Sequence, residues 1–498
     1  MLAKARLRLP IRYKGGGLLC LVDSAPSFFA GAVLRSLPSF IDRRHNGVTL
    51  PGLYNDCLGG LFGAGSFDGG LDFSTFTDPA TASPLAVSFT SAWNSLRRMT
   101  TEGVLGELVA KASGTQHVLS NLLHNAKFEA LQSTVDEGLV FSQRDRILFG
   151  QIDDFSSIFL KVLPDSIGRC SPLEWVEIAS QYFFLPSSAI SSFVGQPIME
   201  RRGRGGAAVI CDEFGDKLQG IPLPFDGYRR QHDDSKNALA EICRLAGVPV
   251  QTELLNIFKS VIPPANQAAF AASQNRTTRT SQGIVPDIKI RLQNENGGSG
   301  DVLGEVKTLH FGTTTYSFRG AGPRSVDLRA LKIQPELEAK LRKADQKHCG
   351  APVDGPPGPM LSRLRSFGPV KGLVFGCIGE VSEDVKSVLY SVSRAAGQEF
   401  LRRQPSANRS INIGNGAWYA KRRLAMVGLR ARANLLLDRI QFLGPGAKAA
   451  YERSQARPSS FDFRSRCFHT NADRARADDR AAHQHFSGRS FGSWAEDD

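Results

Sequence analysis

Over the first 200 positions the apolar residues recur at helical spacing. GGGLLCLVDSAPSFFAGAVLRSLPSFI, from Gly15, passes from a turn-rich start into apolar and small residues three and four apart, and LGELVAKASGTQHVLSNLLHNAKFEAL repeats the pattern. Between them, residues 51–85 are rich in Gly, Ser, Thr, Asp and Pro and predict a long loop or flexible insert. Met199–Ala208, MERRGRGGAA, mixes glycine with arginine and reads as an exposed linker, so a boundary is expected between 200 and 236.

Beyond that point the period changes. SKNALAEICRLAG predicts a short helix closed by Gly247, and VPVQTELLNIF a strand. IVPDIKIRL (Ile284–Leu292) alternates and is rich in β-branched residues. QNENGGSG follows as a turn, and DVLGEVKTLHF (Asp301–Phe311) is a second alternating strand. RALKIQPELEAKLRKADQKH predicts a helix that Pro335 should break or kink, and APVDGPPGPM (Ala351–Met360) a loop. VKGLVFGCIGEV (Val370–Val381) reads as a buried strand, EDVKSVLYSVSRAAG as a helix, and Trp418–Leu443 as a long amphipathic helix with a basic face. After Ser454 there is no Leu, Ile, Val or Met, so disorder is expected at 451–498.

This pattern sets the fold class as α/β, with 1–200 mainly helical, 201–235 a linker and 236–450 an α/β domain ending in the basic helix. The length of 498 residues agrees with more than one domain. A composition 41% hydrophobic and 22% charged is ordinary for a globular chain, and no apolar run is long enough to cross a membrane. The eight cysteines are scattered without a CxxC pair, which suits a reducing, intracellular compartment. Sixty-one Lys and Arg against 48 Asp and Glu leave a charge of +13, so a polyanion, nucleic acid first, is the expected partner. The basic first stretch, MLAKARLRLPIRYK, reads as a solvated end.

The residues that suggest chemistry are Pro286, Asp287, Glu305 and Lys307. Positions 305 and 307 lie two apart on a strand and share a face. A hairpin turning at Asn296, Gly297 and Gly298 sets Asp287 opposite Val306, one residue from Glu305. Two carboxylates and an ammonium on one face suit phosphodiester hydrolysis with a divalent cation. Asp287 and Glu305, with the Val306 carbonyl, would hold Mg²⁺ or Mn²⁺, and Lys307 would orient water and offset charge. Pro164–Asp165 has no following ExK strand, and Glu338 with Lys340 stands inside a helix, where positions two apart diverge.

VPDIKI followed by GEVK, with a helix before and a helix and strand after, resembles the PD-(D/E)XK nuclease superfamily, which includes type II restriction endonucleases and Holliday-junction resolvases. Over roughly residues 236–400 the resemblance implies a restriction endonuclease-like core, a mixed sheet flanked by helices in the order α-β-β-β-α-β, with Asp287, Glu305 and Lys307 catalytic. It also implies an acid on the first helix, Glu241, with Glu253 second. Upstream, LPIRYKGGGLLCLVDSAPSFFAGAVLRSLPSF resembles the segment that follows the polymerase domain in non-LTR retrotransposon proteins, and SSIFLKVLPDSI and WVEIASQYFFLP fit loosely. No YxDD motif is present, since Tyr54-Asn55-Asp56 is not one, and the chain is expected to be the terminal part of a longer element or a decayed copy. Cys211, His232 and Cys243 do not have zinc spacing and are expected to be structural.

Phosphate contacts are expected from Lys340, Arg342, Lys343 and Lys347 on one helix and from Lys421, Arg422 and Arg423 beside Trp418 and Tyr419 on the other. The reading is therefore an intracellular, nuclear, Mg²⁺-dependent DNA endonuclease of a retroelement, with RNA or an RNA–DNA hybrid as further partners and no membrane. Two alternatives stand beside it: a catalytically inactive nucleic-acid-binding remnant, and a branched-DNA resolvase, which would act as a homodimer.

Overall fold

The structure is a computed structural model that describes residues 2–18, 28, 32, 114–138, 140–161, 170–202, 206–221, 227–254, 257–273, 286–293, 299–312, 315–316, 322–352, 355–403 and 409–444. The expected insert at 51–85, the hairpin tip at Asn296–Gly298 and the tail at 451–498 lie outside these residues.

The chain opens with α1 (Leu2–Leu7), followed by α2 (Thr115–Glu137), α3 (Gln143–Gln151) and α4 (Pro172–Phe183). Helix α4 starts with a capping box, in which the Ser171 side chain accepts from the Glu174 amide and Glu174 accepts from the Ser171 amide. The basic N-terminus is solvated only in part: Lys4, Arg8 and Arg12 are exposed, but Arg6 is not. Arg6 is fully buried, donates from Nη1 to the Tyr182 carbonyl at 2.5 Å and lies 4.5 Å from the Tyr182 and Phe184 ring centroids. The flat, weakly hydrated faces of a guanidinium make such an aromatic box tolerable where an ammonium would not be.

The stretch expected to be a linker at 201–235 is largely built structure. β1 (Pro197–Arg202) pairs antiparallel with β2 (Ala208–Ile210), then come α5 (Asp216–Gly220) and α6 (Gly227–Leu245). Arg201 and Arg202 belong to β1, in a stretch whose turn chemistry resembles that of a linker. Ile198, Cys211 and Leu218 bury against Leu436 and Phe442, which ties this piece to the last helix.

The remaining elements are β3 (Val250–Thr252), α7 (Pro264–Ser273), β4 (Ile288–Gln293), β5 (Ser299–Thr308), α8 (Ser325–Cys349), α9 (Pro359–Arg365), β6 (Lys371–Phe375), α10 (Glu383–Arg403) and α11 (Arg409–Arg439). The sheet order is β3-β4-β5-β6, antiparallel up to β5 and parallel between β5 and β6. The chain is thus mixed α/β and mostly helical, and α6, β3, β4, β5, α8, β6 and α10 follow the expected order, with α7 and α9 added. α7 begins with proline followed by alanines, a helix start that alternation-based reading passes over.

Pro335 does not break α8, which runs unbroken for 25 residues. The carbonyl it deprives of a partner belongs to Leu331, 73% exposed, where water can take that role. The buried Asp345 carboxylate accepts from the amides of Met360 and Leu361 at 2.8 and 3.0 Å and so starts α9 within the expected loop.

One apolar core runs from Leu2, Leu148 and Tyr182 through Ile288, Val306 and Leu373 to Leu424 and Ala433. Polar ties follow the same path: Asp153 Oδ2 accepts from Arg324 Nη1 at 2.7 Å, and Gln151 Oε1 accepts from the Ser325 amide at 2.7 Å. The described parts of 1–200 and of 236–450 therefore share a core rather than forming two separate ones. Among the described residues, no helix is long and apolar enough to cross a membrane.

Candidate functional site

The β4–β5 register pairs Ile288 with Gly304, and continuing it by one residue sets Asp287 across from Glu305. Gly304 makes this packing possible, because a Cβ there would lie 2.6 Å from Leu373 Cδ1 and 2.9 Å from Ile288 Cγ2. Asp287 ends the ladder with its side chain: Oδ2 accepts the Val306 N–H at 2.9 Å. Val306, expected to offer a carbonyl, is seen offering its amide. On the same face of β5, Lys307 Nζ donates to Glu305 Oε1 at 2.5 Å. Glu305 Oε2 is buried and, among the described residues, has no hydrogen-bond partner.

The two carboxyls differ in charge preference. Burial would raise Asp287, but the hydrogen bond and charge of His232, the charge of Lys307 and the Val306 amide outweigh it and hold Asp287 below the ordinary carboxylate value. Burial and the nearby Asp287 charge raise Glu305, against the opposing pull of Lys307 and Lys340. Two acids at one site with their affinities pushed apart are a frequent mark of a functional centre.

Helix α6 reaches the pair through His232, a residue expected to be structural. His232 Nε2 lies 3.1 Å from Asp287 Oδ2, and Nδ1 lies 3.1 Å from Asp233 Oδ1. Asp233 Oδ1 also accepts from Lys236 Nζ at 2.9 Å, and the buried Lys236 ammonium donates to Glu253 as well. Glu253 closes the circuit: its amide donates to the Asp287 carbonyl at 3.1 Å, with a left-handed backbone at φ +57. Cys211 and Cys243, expected like His232 to be structural, are buried in separate apolar clusters. The dense charges of HDDSK at the head of the helix are the signal that could have singled His232 out.

Glu241 stands apart from this set. It lies nine residues after His232 on α6, half a turn out of phase, and both its oxygens accept from Arg423 Nη2 at 2.9 Å. The structure does not bring it to Asp287 and Glu305.

The basic residues divide into two groups. Lys340 is half-buried and acts electrostatically on Glu305, while Arg342, Lys343 and Lys347 are exposed on α8. Lys421, Arg422 and Arg423 are half-buried instead of forming an open face. Lys421 pairs with Asp154, Arg423 with Glu241, and burial lowers Arg422. The cause is packing: α11 lies against α6 and α10, so its cations meet acids of the protein itself.

Among the described residues, no group of three or more His, Cys, Asp or Glu is arranged to hold a metal ion. Asp287 and Glu305 could offer two hard oxygens to a divalent cation, and among the described residues Glu305 Oε2 has no hydrogen-bond partner. Compared with known proteins, the chain matches no family model, no curated protein and no solved structure.

Proposed function

We propose that this chain is a metal-dependent DNA endonuclease of the restriction endonuclease-like kind, belonging to a retrotransposon-derived protein. The supporting observation is the juxtaposition of Asp287 and Glu305 with Lys307, in which one buried carboxylate oxygen lacks a partner. Asp287 and Glu305 fit Mg²⁺ or Mn²⁺, small hard cations that need few protein ligands because water and phosphate oxygens fill the rest of the shell. When bound, such an ion polarises a phosphoryl oxygen and makes water a better nucleophile. The chain's own groups do the rest. His232 and the Val306 amide fix Asp287 and keep it ionised, and the half-exposed Lys307 presents a positive charge to the phosphate. The exposed Arg342, Lys343 and Lys347 supply backbone contacts that carry no sequence preference.

A second reading, an inactive nucleic-acid-binding remnant, is favoured by one observation: His232 engages Asp287 Oδ2, an oxygen a metal would otherwise use. Supercoiled plasmid with Mg²⁺ separates the two. Nicking by the parent that is lost in Asp287→Ala, in Lys307→Ala and with EDTA supports the nuclease. Equal DNA binding by all three proteins without cutting supports the remnant, and cutting that survives both substitutions shows that other residues act.

A further inference from the structure

Next to the carboxylate pair lies a buried cluster with the opposite charge. Arg432 and Arg439 stand seven residues apart on one face of α11, 3% and 2% exposed, and among the described residues neither takes part in an ion pair. Arg439 Nη1 is spent on the carbonyls of Leu218, Gln219 and Ile221 at 2.8, 2.8 and 3.0 Å. Among the described residues its Nε and Nη2, and Arg432 Nε, have no hydrogen-bond partner. Arg432 Nη1 lies 2.9 Å from His310 Nδ1, and a guanidinium only donates, so Nδ1 accepts and the proton sits on Nε2. That Nε2 is itself buried without a partner, as are both amide atoms of the fully buried Gln219. Tyr228 joins the members, its ring 4.5 Å from that of His310 and 4.3 Å from Arg439 Cζ.

Two buried guanidinium ions without a carboxylate carry a desolvation cost that a tyrosine face offsets only in part. Glu177 feels the charge of Arg432, but among the described residues it forms no ion pair with it, and its two oxygens accept from Ser187 and Gln181. The unsatisfied groups are almost all donors, and donors around a positive charge are what an oxyanion requires. We propose that Arg432, Arg439, Gln219 and His310 form a binding site for a phosphate-type oxyanion, free or carried at the end of a nucleic acid. Tyr228 lies one turn before His232, and His310 lies three residues past Lys307, so the oxyanion would sit beside the candidate site. The proposal does not depend on whether that site cuts DNA.

Thermal unfolding of the full chain in sodium phosphate and in sodium chloride of equal ionic strength and pH tests it. The parent is expected to unfold about 3 °C higher in phosphate, the size that binding well above Kd gives a chain of this length. Arg432→Met should abolish that difference, and Gln219→Leu and His310→Phe should reduce it at least by half. The two neutral variants carry the test should Arg432→Met not fold. Equal midpoints in the two buffers for the parent overturn the proposal. So does a phosphate shift that persists in all variants, or a Gln219→Leu protein stabilised equally in both buffers, as removal of an unsatisfied amide alone would produce. A short single-stranded DNA with and without a 5′-phosphate then identifies the source: a larger shift with the phosphorylated strand assigns a nucleic-acid end, and equal shifts assign free phosphate.

Discussion

His232 places each of its ring nitrogens 3.1 Å from a carboxylate oxygen, Nε2 beside Asp287 and Nδ1 beside Asp233. An ionised carboxylate only accepts, so the ring must donate from both sides and is an imidazolium. Helix α6 thereby supplies a fixed positive charge to the residue that opens β4.

The charge has a consequence for stability. Burial would lower the imidazole, but the bonds to Asp233 and Asp287 outweigh it and raise His232 from 6.5 to about 9. A group whose affinity for protons rises on folding stabilises the fold below its unfolded value, and that contribution is lost as pH climbs through the folded one. For His232 the window is pH 6.5 to 9, and the loss across it is roughly 3 kcal/mol. Denaturant unfolding at steps across this window should show the parent weakening by that amount relative to His232→Gln, which keeps a donor but no charge. Parallel curves for the two proteins would remove the imidazolium from the account.

Glu305 predicts the opposite sign. Burial and the Asp287 charge favour its protonated form, so the ionised carboxylate is a cost to the folded chain at neutral pH. Glu305→Gln is close in shape to the protonated acid and still accepts from Lys307. It should leave the chain as stable as the parent or more stable by about 1 kcal/mol, while plasmid nicking is lost. A variant that unfolds more than 1 kcal/mol below the parent at pH 7 would show that the charge is well compensated and that no such trade exists.

What the sequence showed and what it hid differ by range. The alternation in Ile284–Leu292 and Asp301–Phe311 is local, so the hairpin and its register, within one residue, could be read directly. With them came the approach of Asp287 to Glu305 and Lys307. The circuit through His232, Asp233, Lys236 and Glu253 depends on how α6 docks onto the sheet, a contact across 55 positions from His232 to Asp287 that no periodicity encodes. The same holds for Arg6, whose partner Tyr182 is 176 positions away, and for the core shared by the N-terminal helices and the sheet. The resemblance implies an acid on the first helix, which Glu241 matches, whereas helical phase relative to His232 excludes it from the pair.

Both Glu241 oxygens meet Arg423 Nη2 at 2.9 Å, joining α6 to α11. The Glu241 side chain is 36% exposed and that of Arg423 15%, so solvent screens part of the attraction. Removing it should cost roughly 0.5–1 kcal/mol, and Arg423→Met should cost a similar amount, with the double variant no worse than the sum. Because the pair lies on the far side of α6 from His232, Glu241→Gln should leave the rate of Mg²⁺-dependent nicking within about twofold of the parent, since a screened surface pair of this kind does not bear on the reacting atoms. A loss of a hundredfold or more with unchanged unfolding would make Glu241 a functional acid after all. The α6–α11 packing in which it meets Arg423 would then have to open when DNA binds.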